Sequence, residues 1–148
     1  MSDITILVVD ENPDHRELTV LALRECCDAA RIATAPDGVQ ALDFLFGRAA
    51  YDGRDTRKQP RLVILELQMA RLHGLDVLKA MRANPLTQSL PVVVLSSATD
   101  KPELDSCYEA GANSIVRKSS DDDELHRKMR MVYDFWVTVN EANRNSQV

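Results

Sequence analysis

The sequence has no apolar run long enough to span a bilayer, and its first residues lack the basic and apolar segments of a secretory leader. A cytoplasmic protein with no membrane contact is therefore expected. Basic charge is also in short supply: 18 Lys and Arg stand against 23 Asp and Glu, a net charge of −5. With no basic stripe to offset repulsion from phosphates, non-specific nucleic-acid binding is excluded. The cysteines are few. Cys26, Cys27 and Cys107 form no CxxC pattern, and neighbouring cysteines on a helix point in different directions. They read as reduced thiols used as small apolar residues. His15, His73 and His126 are too scattered for a His/Cys metal cluster, and no GxGxxG or Walker loop follows the first strand. Internal repeats and low-complexity segments are absent as well.

What is present is a chain of 148 residues, 45% apolar and 28% charged, the composition of one globular domain with an ordinary core. "ITILVV" (4–9) is a β-branched strand that stops at Asp10-Glu11, and Asn12-Pro13 then supplies an N-cap and a first helical residue. Leu18, Leu21, Ala22 and Cys26 follow at helical spacing. A second strand at 31–35, a Pro36-Asp37-Gly38 turn and a helix carrying Ala41, Leu42 and Leu45 come next. After a polar loop at 47–60, a third strand (62–66) leads to a helix near 74–83. "PVVVLS" (91–96), a helix at 101–110 closed by Gly111, and "NSIVRK" (113–118) complete the alternation. A last helix, expected over roughly 121–144, has Asp121 to Glu124 in its first turn, where acids suit the helix dipole.

Five strands alternating with five helices predict a single α/β domain over 1–148, with sheet and first four helices in 4–118 and the extended last helix in 120–144. Strands 1, 3 and 4 are continuous apolar runs, as strands covered on both faces must be. Right-handed crossovers favour a doubly wound, flavodoxin-like parallel sheet in the order 2-1-3-4-5, with its ligand site beyond the carboxyl ends of strands 1 and 3. The polar residues fall on that rim. Asp10 and Glu11 close strand 1, Glu66 strand 3, Ser96 and Ser97 strand 4, and Lys118 strand 5. Carboxylates with open positions suit Mg²⁺, and a hydroxyl beside an ammonium suits a phosphoryl group.

With these residues in view, the chain resembles a two-component response-regulator receiver domain, CheY-like, over about residues 4–135. The resemblance lies in "VVDENP", the "DG..ALDFL" second helix, "LVILELQM", "PVVVLSS", "GAN" and Lys118. The long second loop and "DFW" (134–136) are similar to the single-domain regulators that serve phytochrome-linked histidine kinases. The resemblance implies that Glu66 stands where the family has its phosphoacceptor aspartate. It also implies that Asp10, Glu11, Glu66 and the Gln68 carbonyl are at the Mg²⁺ positions, with Ser96 and Lys118 at the phosphoryl contacts. A histidine kinase is then the expected partner, and no organic cofactor or enzymatic activity of its own is expected.

The sequence departs from the family where the chemistry is most exacting. One extra methylene moves a carboxylate by about 1.5 Å, and Mg²⁺ demands oxygens at about 2.0–2.1 Å. Glu66 and Glu11 both carry that methylene, so metal binding is expected to be weak and phosphorylation impaired. Met69-Ala70 stands where the family has proline, Ser119 replaces the proline after the lysine, and Ile115 takes the aromatic switch position. Several departures together favour natural divergence over a single engineered change. Two alternatives remain open: an ordinary phosphorylatable receiver, and a flavodoxin-like nucleotide-binding or small-molecule enzyme. Phe135, Trp136 and Val139 extend the apolar stripe of the last helix beyond what a small sheet covers, which predicts a homodimer through strand 5 and helix 5.

Overall fold

A computed structural model describes residues 3–97 and 100–142 of the chain. Its elements run β1 (Ile6–Val9), α1 (Pro13–Leu23), β2 (Ile32–Ala35), α2 (Gly38–Phe46), β3 (Leu62–Glu66), α3 (Gly74–Arg82), β4 (Val92–Ser96), α4 (Lys101–Glu109), β5 (Ser114–Arg117) and α5 (Asp122–Tyr133). The five strands are parallel in the order β2-β1-β3-β4-β5, as the alternation predicts. Every residue of β1, β3 and β4 is buried, whereas edge strands β2 and β5 are only partly so. This is why three strands read as unbroken apolar runs.

Alternate side chains of the central strands feed two separate cores. Leu7, Val9, Val63, Leu65, Val92 and Val94 face Leu42, Leu45, Val77, Leu78, Met81 and Cys107 from α2, α3 and α4. Ile6, Val8, Leu62, Ile64, Val93 and Leu95 face Ala22 and Leu23 of α1 and Leu125, Met129 and Val132 of α5. Helix starts are fixed by the side chains the sequence places there. Asn12 Oδ1 accepts from Asp14 N and His15 N at 3.0 and 3.1 Å, and Asp37 Oδ1 accepts from Gln40 N at 2.8 Å. Asp121 Oδ1 accepts from Asp123 N at 2.9 Å.

Arg82, the last residue of α3, ties together the loops around it. Its guanidinium donates to the carbonyls of Thr87, Gln88, Leu90 and Gly111 and to Asn113 Oδ1 at 2.8–3.2 Å. Gly111 has φ 109°, and a Cβ there would lie 2.7 Å from Arg82 Cγ, so both backbone conformation and close approach require glycine.

The last helix is shorter than expected. After α5 the chain continues as a π-helical segment, Asp134–Val139, and Asn140 is extended. The widened turn has a packing reason. Val132 and Val137 are five residues apart and both are 8% exposed on the same core, a spacing that shares a face in a π turn but not in an α turn. Of the expected span to 144, residues 143–144 lie outside the described residues.

Candidate functional site

Strand geometry delivers the rim residues. Asp10 N donates to Ala35 O at 3.2 Å and Lys118 N to Ser96 O at 2.8 Å, so the ladder continues one residue past β1 and β5. Glu66 and Ser96 are themselves the last residues of β3 and β4. α3 starts hard against this rim: a Cβ on Gly74 would lie 2.7 Å from Glu66 O and 2.8 Å from Leu67 Cα. Only a residue without a side chain allows that approach.

Glu66 is 5% exposed, and both of its carboxylate oxygens are engaged. Oε1 accepts the N–H groups of Leu67 and Gln68 at 3.1 and 3.2 Å, and Oε2 lies 2.6 Å from Lys118 Nζ. The side chain thus curls back over its own loop. Lys118 Nζ is also 3.6 Å from Asp10 Oδ2, which places one ammonium between two carboxylates. The Lys118–Ser119 bond is trans, and the lysine nevertheless reaches the rim.

Asp10 is 2% exposed and balanced on several sides. Oδ2 is 2.7 Å from His15 Nδ1, Oδ1 accepts from Asn12 N at 3.0 Å, and the main-chain oxygen accepts from Arg16 Nη1 at 2.7 Å. Burial pushes its pKa up, but the hydrogen bonds from His15 and Asn12 and the charges of Lys118 and His15 outweigh burial and hold it below the ordinary value.

Glu11 does not join this group. It is exposed, and its Oε2 accepts the Ala70 N–H at 2.9 Å, a donor available only because residue 70 is not the family's proline. The Gln68 side chain also points outward, donating from Nε2 to Glu103 Oε1 of α4 at 2.7 Å. Ser96 is fully buried at the end of β4, and Ser97 is exposed. Of the rim residues expected to converge, then, Asp10, Glu66 and Lys118 meet in direct contact and Glu11 turns away.

His15 was missed by sequence reasoning as a member of the site. Its position in the first turn of α1, five residues after Asp10, is the signal that could have found it. His73 serves elsewhere, its Nδ1 accepting from Leu75 N at 3.1 Å at the start of α3, and His126 pairs with Glu25 at 2.7 Å. The three cysteines are free thiols; Cys107 is buried and Cys26 and Cys27 are half-buried.

Receiver domains hold Mg²⁺ or Mn²⁺ at the acceptor. An octahedral ion needs carboxylate oxygens that converge and are free to turn toward it. Here Glu66 is committed to two amides and Lys118, Asp10 to His15 and Asn12, and Glu11 to Ala70. Among the described residues no group of three or more His, Cys, Asp or Glu side chains is arranged to hold a metal ion. As arranged, this donor set suits the ion poorly. No helix among the described residues is long and apolar enough to cross a membrane.

Known proteins share both sequence and fold. The probable methanogenesis regulatory protein FilR2 of Methanothrix harundinacea is 29% identical over 137 residues, covering 93% of this chain and 86% of that protein. Response regulator Rcp1 of Synechocystis is 26% identical over 134 residues, covering 90% and 88%. Among solved structures, the phosphorylated cyanobacterial phytochrome response regulator RcpA superposes with a TM-score of 0.86 at 23% identity, covering 95% of this chain and 99% of that one. The bacteriophytochrome response regulator AtBRR does so with a TM-score of 0.73 at 32% identity, covering 95% and 100%. The response regulator receiver domain model matches residues 6–130, and with phytochrome-associated regulators among its relatives the chain belongs to the receiver family of two-component signalling.

Proposed function

We propose that the chain acts as a receiver by protein–protein contact, with its phosphorylation chemistry impaired because Glu66 stands at the acceptor position. One observation carries this reading: the Glu66 carboxylate is held between Lys118 Nζ at 2.6 Å and the amides of residues 67 and 68. A nucleophile tied to its own backbone is poorly placed for in-line attack, and a misplacement of about 1 Å can cost around a hundredfold in rate. The lysine that would meet a phosphoryl group is neutralised by Glu66 and Asp10 instead. The surface offered to partners is then set without phosphorylation, and Mg²⁺ binds weakly at Asp10, Glu11, Glu66 and the Gln68 carbonyl. Ser96 and Lys118 keep the positions of phosphoryl contacts without their task. The upstream partner in this reading is a histidine kinase, a phytochrome-linked one by analogy with the relatives.

The second part of the reading is a homodimer through β5 and α5. Met131, Phe135 and Val139 are 60%, 50% and 64% exposed, and the Phe135 ring meets Trp136 edge-on at 4.9 Å. Three large apolar side chains on one helix end form the kind of patch a second copy covers. Light scattering on the full chain is expected to give a dimer, and a monomer would overturn this part.

Incubation with acetyl phosphate and Mg²⁺, read by intact mass, tests the chemistry. The wild-type chain is expected to show no stoichiometric phosphoryl adduct, and Glu66→Asp to gain one. A full adduct on the wild-type chain would overturn the reading.

A further inference from the structure

At the amino-terminal edge of the sheet, opposite Glu66, the segments that lead into β1, β2, β3 and β4 enclose a cleft of about 310 Å³. Its wall contrasts with the rest of the molecule. The chain as a whole has a net charge of −5, yet the cleft is lined by four bases, Arg31, Arg57, Lys58 and Arg61, and by one acid, Asp3. Arg57 is committed to Asp55 at 3.1 and 3.2 Å, and Lys58 lies 3.7 Å from Asp3. Arg31 and Arg61 are different. Among the described residues neither guanidinium has an ion pair or a side-chain hydrogen bond, and Arg61 Nε is shielded from solvent with no acceptor there. A desolvated donor without a partner in a native fold calls for one.

The other wall is apolar: Pro60, Leu90 and Pro91 are buried beneath the cleft, and Leu86 is 36% exposed at its side. We propose that this cleft binds a small phosphorylated organic molecule. Its phosphomonoester would lie between Arg61 and Arg31, near Lys58, and its flat apolar part against Leu86, Leu90 and Pro91. Guanidinium forks match phosphate oxygens two at a time, and a dianion answers this excess of positive charge better than a single carboxylate does. The volume is at the small end of the range for ligand pockets, about 300–1,000 Å³, which suits a molecule of mononucleotide size or less. The overall negative charge disfavours a long polyanion such as nucleic acid. This site uses none of the residues of the Glu66 rim and stands whether or not that rim is phosphorylated.

The test uses the full chain with adenosine monophosphate, inorganic phosphate and adenosine as probes, followed by calorimetry and by amide shifts. The monophosphate is expected to bind at one site, at least about tenfold more tightly than inorganic phosphate or adenosine, because it engages both walls. Arg61→Gln and Arg31→Gln are each expected to weaken it about tenfold, with unfolding midpoints confirming that the variants are folded. Arg31 is exposed, so its variant remains informative if Arg61→Gln fails to fold. Glu66→Ala is expected to leave the affinity unchanged. Absence of saturable binding to the wild-type chain, equal binding of phosphate and monophosphate, binding indifferent to both arginine variants, or loss of binding in Glu66→Ala would each overturn the proposal.

Discussion

The two ends of one sheet treat charge in opposite ways. At the carboxyl end, Lys118, Glu66, Asp10 and His15 are drawn inward and neutralise one another at 2.6–3.6 Å. At the amino end, Arg31 and Arg61 border a cleft with no carboxylate to answer them among the described residues. The first end is self-contained: its charges cost desolvation but return it through short contacts in a low-dielectric setting. The second is open-ended. A cation near a protein's surface can be left unpaired cheaply only where water or a ligand reaches it, and Arg61 Nε is shielded.

Lys118 carries the most stability at the carboxyl end. Replacing it with Met leaves two adjoining buried carboxylates without their shared cation, and breaking a buried pair in this way costs about 3–5 kcal/mol. Urea unfolding should show that loss, while the double variant Lys118→Met, Glu66→Leu should recover much of it. A loss below about 1 kcal/mol in the single variant would mean that the rim is solvated like an ordinary surface pair. Next in size is Arg82→Met. It strands the carbonyls of Gly111 and Leu90 along with the other acceptors, with an expected cost of about 2–3 kcal/mol. Arg82 shows what a paired guanidinium does in this fold, and is the reference against which Arg61 is measured.

How much of this was legible beforehand depends on what each feature rests on. The sheet order and the rim positions of Asp10, Glu66 and Lys118 follow from where apolar runs stop, because strand ends are set by backbone registry and not by rotamers. The partners were another matter. Glu66 could have reached Ser96, solvent or its own amides; its extra methylene allows all three, and only the path of the 67–70 loop decides. Glu11 finds the Ala70 N–H and Arg82 finds backbone carbonyls, and backbone groups leave no mark in a sequence. The helix beyond Tyr133 read as regular because its apolar pattern continues; the π turn that puts Val132 and Val137 on one face depends on packing.

Acid should act on the carboxyl end through Asp10. The folded-state pKa of Asp10 is depressed below 3.8, so the unfolded chain takes up that proton first. The stability it contributes is therefore complete above the unfolded value and is lost as pH falls through that value toward the folded one. Asp10→Asn should be less stable than wild type at neutral pH, and the gap should narrow as urea midpoints are followed below about pH 4. A gap that stayed constant would assign the effect of Asp10 to shape and not to charge.

The smallest expected effect has the opposite sign. Arg61→Met removes a cation that lines the cleft together with Arg31 and Lys58, and with it a shielded Nε that lacks an acceptor among the described residues. Without ligand, the change should be neutral or stabilising by up to about 1 kcal/mol, since apolar replacement of a half-buried charge with a shielded, unanswered donor removes a desolvation cost. Thermal unfolding in a phosphate-free buffer would show it, and the order should reverse once a phosphorylated ligand is added, because only the wild-type arginine gains from binding. If Arg61→Met instead lost as much as Lys118→Met, the guanidinium would already have a partner, and the two ends of the sheet would be alike.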